Sequence, residues 1–270
     1  MLLFINTSFA LEYQSARTTS LAGGGRAGCL LTDTVTLNPS MLGFYQISAL
    51  SGTLNWTTPG AGRSLYNLSV IDGNNQWFSA GLGFTRALKG DFIRLAVSKK
   101  IDYWLSVGAH AKRFNLRAKE LPPGLESFTA FDGGASVTFG IPKEWLPSPL
   151  ILISLTSDNL HHAQSVEKYF GPKEYGISTK VNINDLLLLY GDFIEHISYF
   201  NGGYPMYHGS AEISLGSEFF IRGGMFGFRS TGWSLGGGWV GPKVGLNYGF
   251  QNRTSDPREK LQTLTLDLYM

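Results

Sequence analysis

A chain of 270 residues with 34 glycines, 13% aromatic and 16% charged residues holds either one β-barrel or two small domains. Its net charge of +2 offers no basic surface, so no nucleic-acid partner is expected. No apolar run approaches the ~18 residues of a membrane helix, and a crossing without one needs a closed barrel, because open strand edges go unsatisfied in lipid.

Residues 1–10, MLLFINTSFA, read as the end of a secretory signal, with Ser8-Phe9-Ala10 as a small-x-small cleavage site. The basic n-region is missing and the apolar core is short, so the signal is weak or truncated; a buried strand is the alternative. Cys29 is the single cysteine, which excludes a disulfide framework and a cysteine metal cluster. Ala27-Gly28-Cys29 has the look of a lipoprotein signal end, but Arg26 stands where an apolar residue is wanted. A small buried thiol is expected instead.

Residues 11–45 form an irregular segment. From Ser15 to Gly43 it is too rich in Gly, Thr and Ser for a stable helix and too broken for a long strand. Gly23-Gly24-Gly25 allows backbone angles that a β-carbon forbids. Asn38-Pro39 marks a turn, and Pro39 restricts Asn38 to extended backbone. The succession Ser15-Ala16-Arg17, then Gly23-Gly24-Gly25 with Arg26-Ala27, then Asn38-Pro39-Ser40 resembles the N-terminal plug of the FadL-like outer-membrane proteins. That group includes the long-chain fatty acid transporters and the PorV-like barrels. Its pattern is a Ser-Ala-Arg start, a Gly-Gly-Ala-Gly centre and an Asn-Pro-Ala end. Here the centre matches loosely and Ser40 replaces Ala. The resemblance implies a plug over 11–45, inside the lumen of a barrel over 46–270. An ordinary Gly-rich surface loop is the bland alternative.

From residue 46 onward the pattern has period two, the mark of strands with one apolar face. Strands are predicted near 46–56, 64–71, 76–86, 91–100, 103–114, 128–139, 149–157, 173–182, 186–197, 207–215, 217–226, 231–239, 243–251 and 260–270. These are about fourteen antiparallel strands, mostly of the ~9–11 residues a tilted transmembrane strand needs. Phe78, Ala80, Leu82 and Phe84 oppose Trp77, Ser79, Gly81, Gly83 and Thr85. Phe131, Ala135, Val137 and Phe139 oppose Asp132, Ser136 and Thr138. Val244, Leu246, Tyr248 and Phe250 oppose Lys243, Asn247 and Gln251. Leu264, Leu266 and Leu268 oppose Thr263, Thr265 and Asp267. A soluble sandwich shows the same alternation.

Three features favour an all-β transmembrane barrel. The polar faces are built of small residues, which suits a lumen around a plug. Trp56, Trp77, Trp104, Tyr175, Trp233, Trp239, Tyr248 and Tyr269 lie near strand ends, as interfacial girdles do. Connections alternate in length: 72–75, 101–102, 182–185, 216 and 240–242 are short, while 115–127, 158–172, 198–206 and 252–259 are longer. Short periplasmic turns and longer outer loops are the barrel rule. The connection 140–148 is an exception, and so is the short one at 87–90.

Inward-facing polar groups are predicted at Arg94, Lys100, His110, Lys112, Lys180, Glu212, Glu218 and Arg222, with Glu212 and Arg222 able to pair across adjacent strands. Their expected role is to hold the plug, since a filled lumen must satisfy its polar groups. His161-His162 with Asp158 reads as a solvated outer loop rather than a metal site. There is no G-x-S-x-G element, and the glycines at 223–224 and 236–238 read as bends or close packing in strands. No enzyme, metal or cofactor is expected; a membrane-face Ser/His hydrolase is the residual alternative.

The resemblance implies an outer-membrane protein of a Gram-negative-type bacterium that takes a hydrophobic, fatty-acid-like small molecule from outside and passes it along the plug toward a gap in the wall. The alternative within the family is a PorV-like, non-transporting anchor for secreted or surface proteins. Expected partners are membrane lipid and either a hydrophobic small molecule or a secreted or surface protein. Ligand-binding residues stay unassigned. A soluble β-sandwich is the third reading.

Overall fold

A computed structural model describes residues 14–45, 47–58, 64–75, 77–87, 90–117, 128–141, 150–160, 167, 171–198, 202–227, 231–254 and 260–270. Residues 1–10, His161-His162 and most of 140–148 lie outside these. The strands are β1 (Ser48–Thr58), β2 (Ser64–Asp72), β3 (Ser79–Arg86), β4 (Gly90–Asp102), β5 (Leu105–Leu116), β6 (Thr129–Ile141) and β7 (Leu150–Asp158). They continue as β8 (Lys173–Ile183), β9 (Leu187–Ser198), β10 (Gly202–Leu215), β11 (Phe219–Gly227), β12 (Gly232–Val240), β13 (Val244–Arg253) and β14 (Lys260–Tyr269). Each pairs with its sequence neighbours, and β1 pairs antiparallel with β14, which closes the barrel.

Alternation decides which side of the wall each residue occupies. Leu82, Phe84, Ile93, Leu95, Val97, Ile177, Leu264 and Leu266 point outward and are exposed. Ser69, Thr85, Ser98, Ser136, Thr138, Ser154, Thr263 and Thr265 point inward and are buried. An apolar exterior around a polar interior is the reverse of a water-soluble fold, and closure leaves no strand edge unpaired. This is the wall of a membrane-spanning barrel. At the end carrying both strand termini, two belt indoles are tied down by turn carboxylates: Trp104 Nε1 donates to Asp102 and Trp239 Nε1 to Glu218, each at 2.9 Å.

Several expectations are corrected. Tyr269 does not join the outer girdle. It continues the inward series of Thr263, Thr265 and Asp267 and packs against the buried cluster of Val35, Leu42, Ala49, Ile71 and Ala96. Trp77 belongs to no strand; it is 77% exposed in the β2–β3 connection. Glu218 lies in the β10–β11 turn and is exposed, not inward. Lys100 pairs in register with buried Ser106 and so keeps the inward parity of Ser98, but it lies at the end of the regular pairing, next to the shift before Asp102, and is exposed there. β10 begins at Gly202 rather than 207, which shortens the predicted 198–206 loop. Its first five residues pair with β9, and the described β11 register runs from Tyr207 opposite Gly227.

The segment before β1 lies within the closed wall. It does contain helix, contrary to its composition: α1 (Ala16–Ser20) and α2 (Thr32–Thr36), with 3₁₀ turns at Arg26–Gly28 and Pro39–Phe44. Helices of five residues have no independent stability. These are held by the wall instead. α1 packs on β11–β14, the 26–28 turn on β7–β9, α2 on β2–β4, and the 39–44 turn on β3–β6. Ser15 caps α1, its hydroxyl accepting the Thr18 N–H at 3.1 Å.

Candidate functional site: the filled lumen

The interior has an ionic side, a neutral side, an apolar patch at the loop end and a crevice at the terminal end. The ionic side is built on β7–β11. The Arg17 Nη2 donates to the Tyr190 hydroxyl at 2.7 Å, and its Nε lies 3.4 Å from Glu212. Arg222 Nε donates to the same Glu212 oxygen, so one carboxylate on β10 serves two guanidinium groups. Arg222 also reaches across β12 to Asn247 at 2.8 Å. Gly238 makes that reach possible: a β-carbon there would fall on the Asn247 amide oxygen. Asn247 then donates to Asp267, which accepts from Ser51 at 2.6 Å. A continuous polar chain thus runs from β9 to β1.

The second anchor is Arg26. Its Nη2 meets Glu174 at 2.8 Å, and its backbone N–H donates to Asp192 at 3.3 Å. Glu174 also meets His196 Nε2 at 3.2 Å. His208 Nδ1 lies 2.7 Å from the Ala22 carbonyl, which can only accept, so that nitrogen carries the proton. Gly23 and Gly24 run beside the His208 ring, and a β-carbon at Gly24 would come within 2.9 Å of His208 Cβ. Gly25, at φ +87°, starts the 26–28 turn in the left-handed region that glycine favours. His110 and Lys112 converge on Asp158, at 3.0 and 2.9 Å. Asp158 therefore ends β7 inside the lumen and is not part of a solvated loop. Arg94, also inward and buried, adds positive charge near it.

The neutral side uses hydroxyls, amides and glycines. The Ala16 N–H donates to Thr265 at 2.9 Å, and Thr19 meets Thr263 at 2.9 Å. The Ser234 hydroxyl donates to the Ser20 carbonyl at 2.6 Å. Asn38 Nδ2 bridges the Arg26 carbonyl and Thr138 at 2.9 and 3.2 Å. Pro39 opens the 39–44 turn, and Ser40 then meets Ser136 through its N–H and Thr138 through its hydroxyl. Backbone approaches this wall closely. A β-carbon at Gly236 or Gly249 would collide with α1, and one at Gly108 with Pro39-Ser40.

Within the segment, Ser15 also donates to Asp33 at 2.7 Å. Burial pushes the Asp33 carboxyl above its ordinary range, with Ser15 and Arg17 pulling it back. Burial likewise pushes the Cys29 thiol up, leaving it unreactive.

Apolar side chains inside the lumen are confined to patches. At the loop end of β2–β6, Leu65, Phe92, Phe114, Leu116 and Ala130 are buried together, with the Phe92 and Phe114 rings 4.7 Å apart. At the terminal end, a crevice of about 50 Å³ separates Leu30, Leu31 and Asp33 from Val240, Asp267 and Tyr269.

Sequence reasoning missed Arg26, Tyr190, Glu174, Asp192, His196 and His208. Parity could have found the strand residues: Glu174 shares its face with Lys180, and His208 with Glu212. Among the described residues no group of three or more His, Cys, Asp or Glu could hold a metal ion.

No protein-family model and no curated protein sequence matches this chain. Solved structures do. A FadL homologue from Pseudomonas aeruginosa superposes with a TM-score of 0.63 at 12% identity, over 97% of this chain and 99% of that one. The toluene transporter TbuX of Ralstonia pickettii gives 0.62 at 12% identity, over 97% and 98%. The monoaromatic hydrocarbon channel CymD gives 0.61 at 12%, over 97% and 98%. The chain therefore has the fold of the FadL-like barrels over nearly its whole length.

Proposed function

We propose that the protein is an outer-membrane channel for small hydrophobic molecules, with residues 14–45 as its plug. The observation that carries this reading is the apolar patch of Leu65, Phe92, Phe114, Leu116 and Ala130, set inside the lumen at its loop end. A water-filled pore gains nothing from such a patch, whereas an apolar solute gains by leaving water for it. The fold shared with TbuX, with CymD and with the FadL homologue supports the same solute class. No reaction is needed: partition drives uptake, and the polar contacts around the plug exclude charged solutes.

Uptake of a labelled monoaromatic hydrocarbon and of a labelled long-chain fatty acid by cells carrying the protein tests this. Uptake of either above cells without it is the expected result. Equal uptake, with the protein folded in the outer membrane, defeats the reading. A stoichiometric secreted protein co-purifying with the barrel would then favour the scaffold alternative, which no observation on the described residues favours.

A further inference from the structure

The outward face of the wall carries two unmatched cations at its loop end. Two rows of side chains run there across β2–β6. The upper row is Tyr66, Arg86, Asp91, Asn115 and Thr129, paired strand to strand, and the row beneath it is Leu68, Phe84, Ile93, Arg113 and Phe131. Arg86 and Arg113 are exposed. So are Leu68, Phe84, Ile93 and Phe131, where the apolar band begins. Arg113 therefore sits one row inside that band. Its Cζ lies 5.8 Å from the Phe131 ring centroid, and its Nε donates to Asn115 at 3.1 Å. The acid of the upper row is already held, since Asp91 meets Arg117 at 3.2 Å. Neither Arg86 nor Arg113 has an ion pair among the described residues.

A guanidinium keeps its charge at any working pH, and on a lipid-facing surface it is costly without a counter-charge. The longer connections of such a barrel face outside, so these two rows stand level with the headgroups of the outer leaflet. We propose that this sector binds a phosphorylated glycolipid of that leaflet. Phosphate accepts two parallel N–H bonds from one guanidinium. Arg86 and Arg113 lie two strands apart, about 10 Å across the sheet, close enough to grip one headgroup from both sides. Tyr66 and the Asn115 amide offer a ring and N–H donors to its sugars. Leu68, Phe84, Ile93 and Phe131 take its acyl chains. A soluble protein has no access to the lower row, and a free phosphate ion gains nothing from it. Among the described residues the other outward cations at this end, Lys173 on β8 and Lys260 on β14, stand singly. The site is independent of the lumen and of transport.

The test is a native mass-spectrometry titration of the detergent-solubilised full chain with lipid A. The wild type is compared with the double variant Arg86→Gln, Arg113→Gln and with the control Lys260→Gln. Each protein is checked for the mobility change on boiling that marks a folded barrel. The wild type and the control are expected to bind lipid A equally. The double variant is expected to bind it about 25-fold more weakly, at about fivefold per charge removed. Lipid A stripped of its phosphates is expected to bind the wild type as weakly as intact lipid A binds the double variant. A wild type that does not retain lipid A overturns the site, and so does a folded double variant that binds as tightly as wild type. Equal binding of the stripped lipid would assign the contact to acyl chains alone and overturn the phosphate. Phosphatidylglycerol bound as tightly as lipid A overturns the glycolipid. Displacement of lipid A by millimolar inorganic phosphate would assign the arginines to a free ion and overturn the lipid.

Discussion

The N-terminal segment, residues 14–45, meets two kinds of wall. Toward β7–β11 it presents Arg17 and Arg26 to Glu212, Glu174 and Asp192, all buried. Toward β12–β14 and β4–β6 it presents hydroxyls, backbone amides and carbonyls to Thr263, Thr265, Ser234, Ser136 and Thr138. The physical consequences differ. A neutral hydrogen bond here replaces one with water and contributes about 1 kcal/mol. A buried ion pair is near neutral as a pair but costly to halve, because the surviving charge stays desolvated. The ionic wall therefore fixes where the segment sits, and the neutral wall lets its backbone lie close. Glycines serve the second purpose: Gly236 and Gly249 leave room for α1, and Gly108 for Pro39-Ser40.

This contrast can be broken from the ionic side first. Glu212→Ala strands two buried guanidinium groups at once and should cost about 3–5 kcal/mol, read as a lower denaturant midpoint by tryptophan fluorescence in detergent. On the neutral side the equivalent insult is steric. Gly236→Val drives a side chain into Ser20, and a loss of about 1–3 kcal/mol is expected, with the boiling-dependent gel shift moving to lower temperature. Ser40→Ala removes one hydroxyl shared with Thr138 and should cost about 1 kcal/mol in the same unfolding assay.

The smallest effect concerns pH. The Asp33 carboxyl is raised by burial, so the folded state prefers its protonated form. Its influence on stability is then absent at low pH and becomes a penalty as pH climbs from the ordinary carboxylate value through the raised one. Unfolding midpoints of the wild type should fall across that window relative to Asp33→Asn. Parallel pH profiles for the two proteins would assign the dependence elsewhere.

Most of the wall was legible in the sequence because a strand carries its own ruler: a residue such as Thr265 or Leu266 declares its side by parity. The rule failed in the turn holding Glu218, and at Lys100 it gave the face but not the exposure, because the regular pairing ends there. Tyr269 was misread for a different reason. An aromatic at a strand end looks like a girdle residue, and only parity carried to the last position turns it inward. The pairing of Glu212 with Arg222 followed from adjacent strands. The pairing of Arg17 with the same carboxylate did not, because the path of the N-terminal segment is set by contacts some two hundred residues away. Helices α1 and α2 were invisible for the same reason, since five residues such as ARTTS or TDTVT are too short to hold a helix without the wall.

The claim that residues 14–45 fill a closed lumen is tested most directly by ion conductance in a planar bilayer. The full chain is compared with a chain lacking 14–45, both verified as folded by their mobility change on boiling. A barrel of this circumference leaves an aqueous channel once emptied. The shortened protein is expected to show large, steady conductance where the full chain shows little. Equal conductance from both folded proteins would contradict an interior plug.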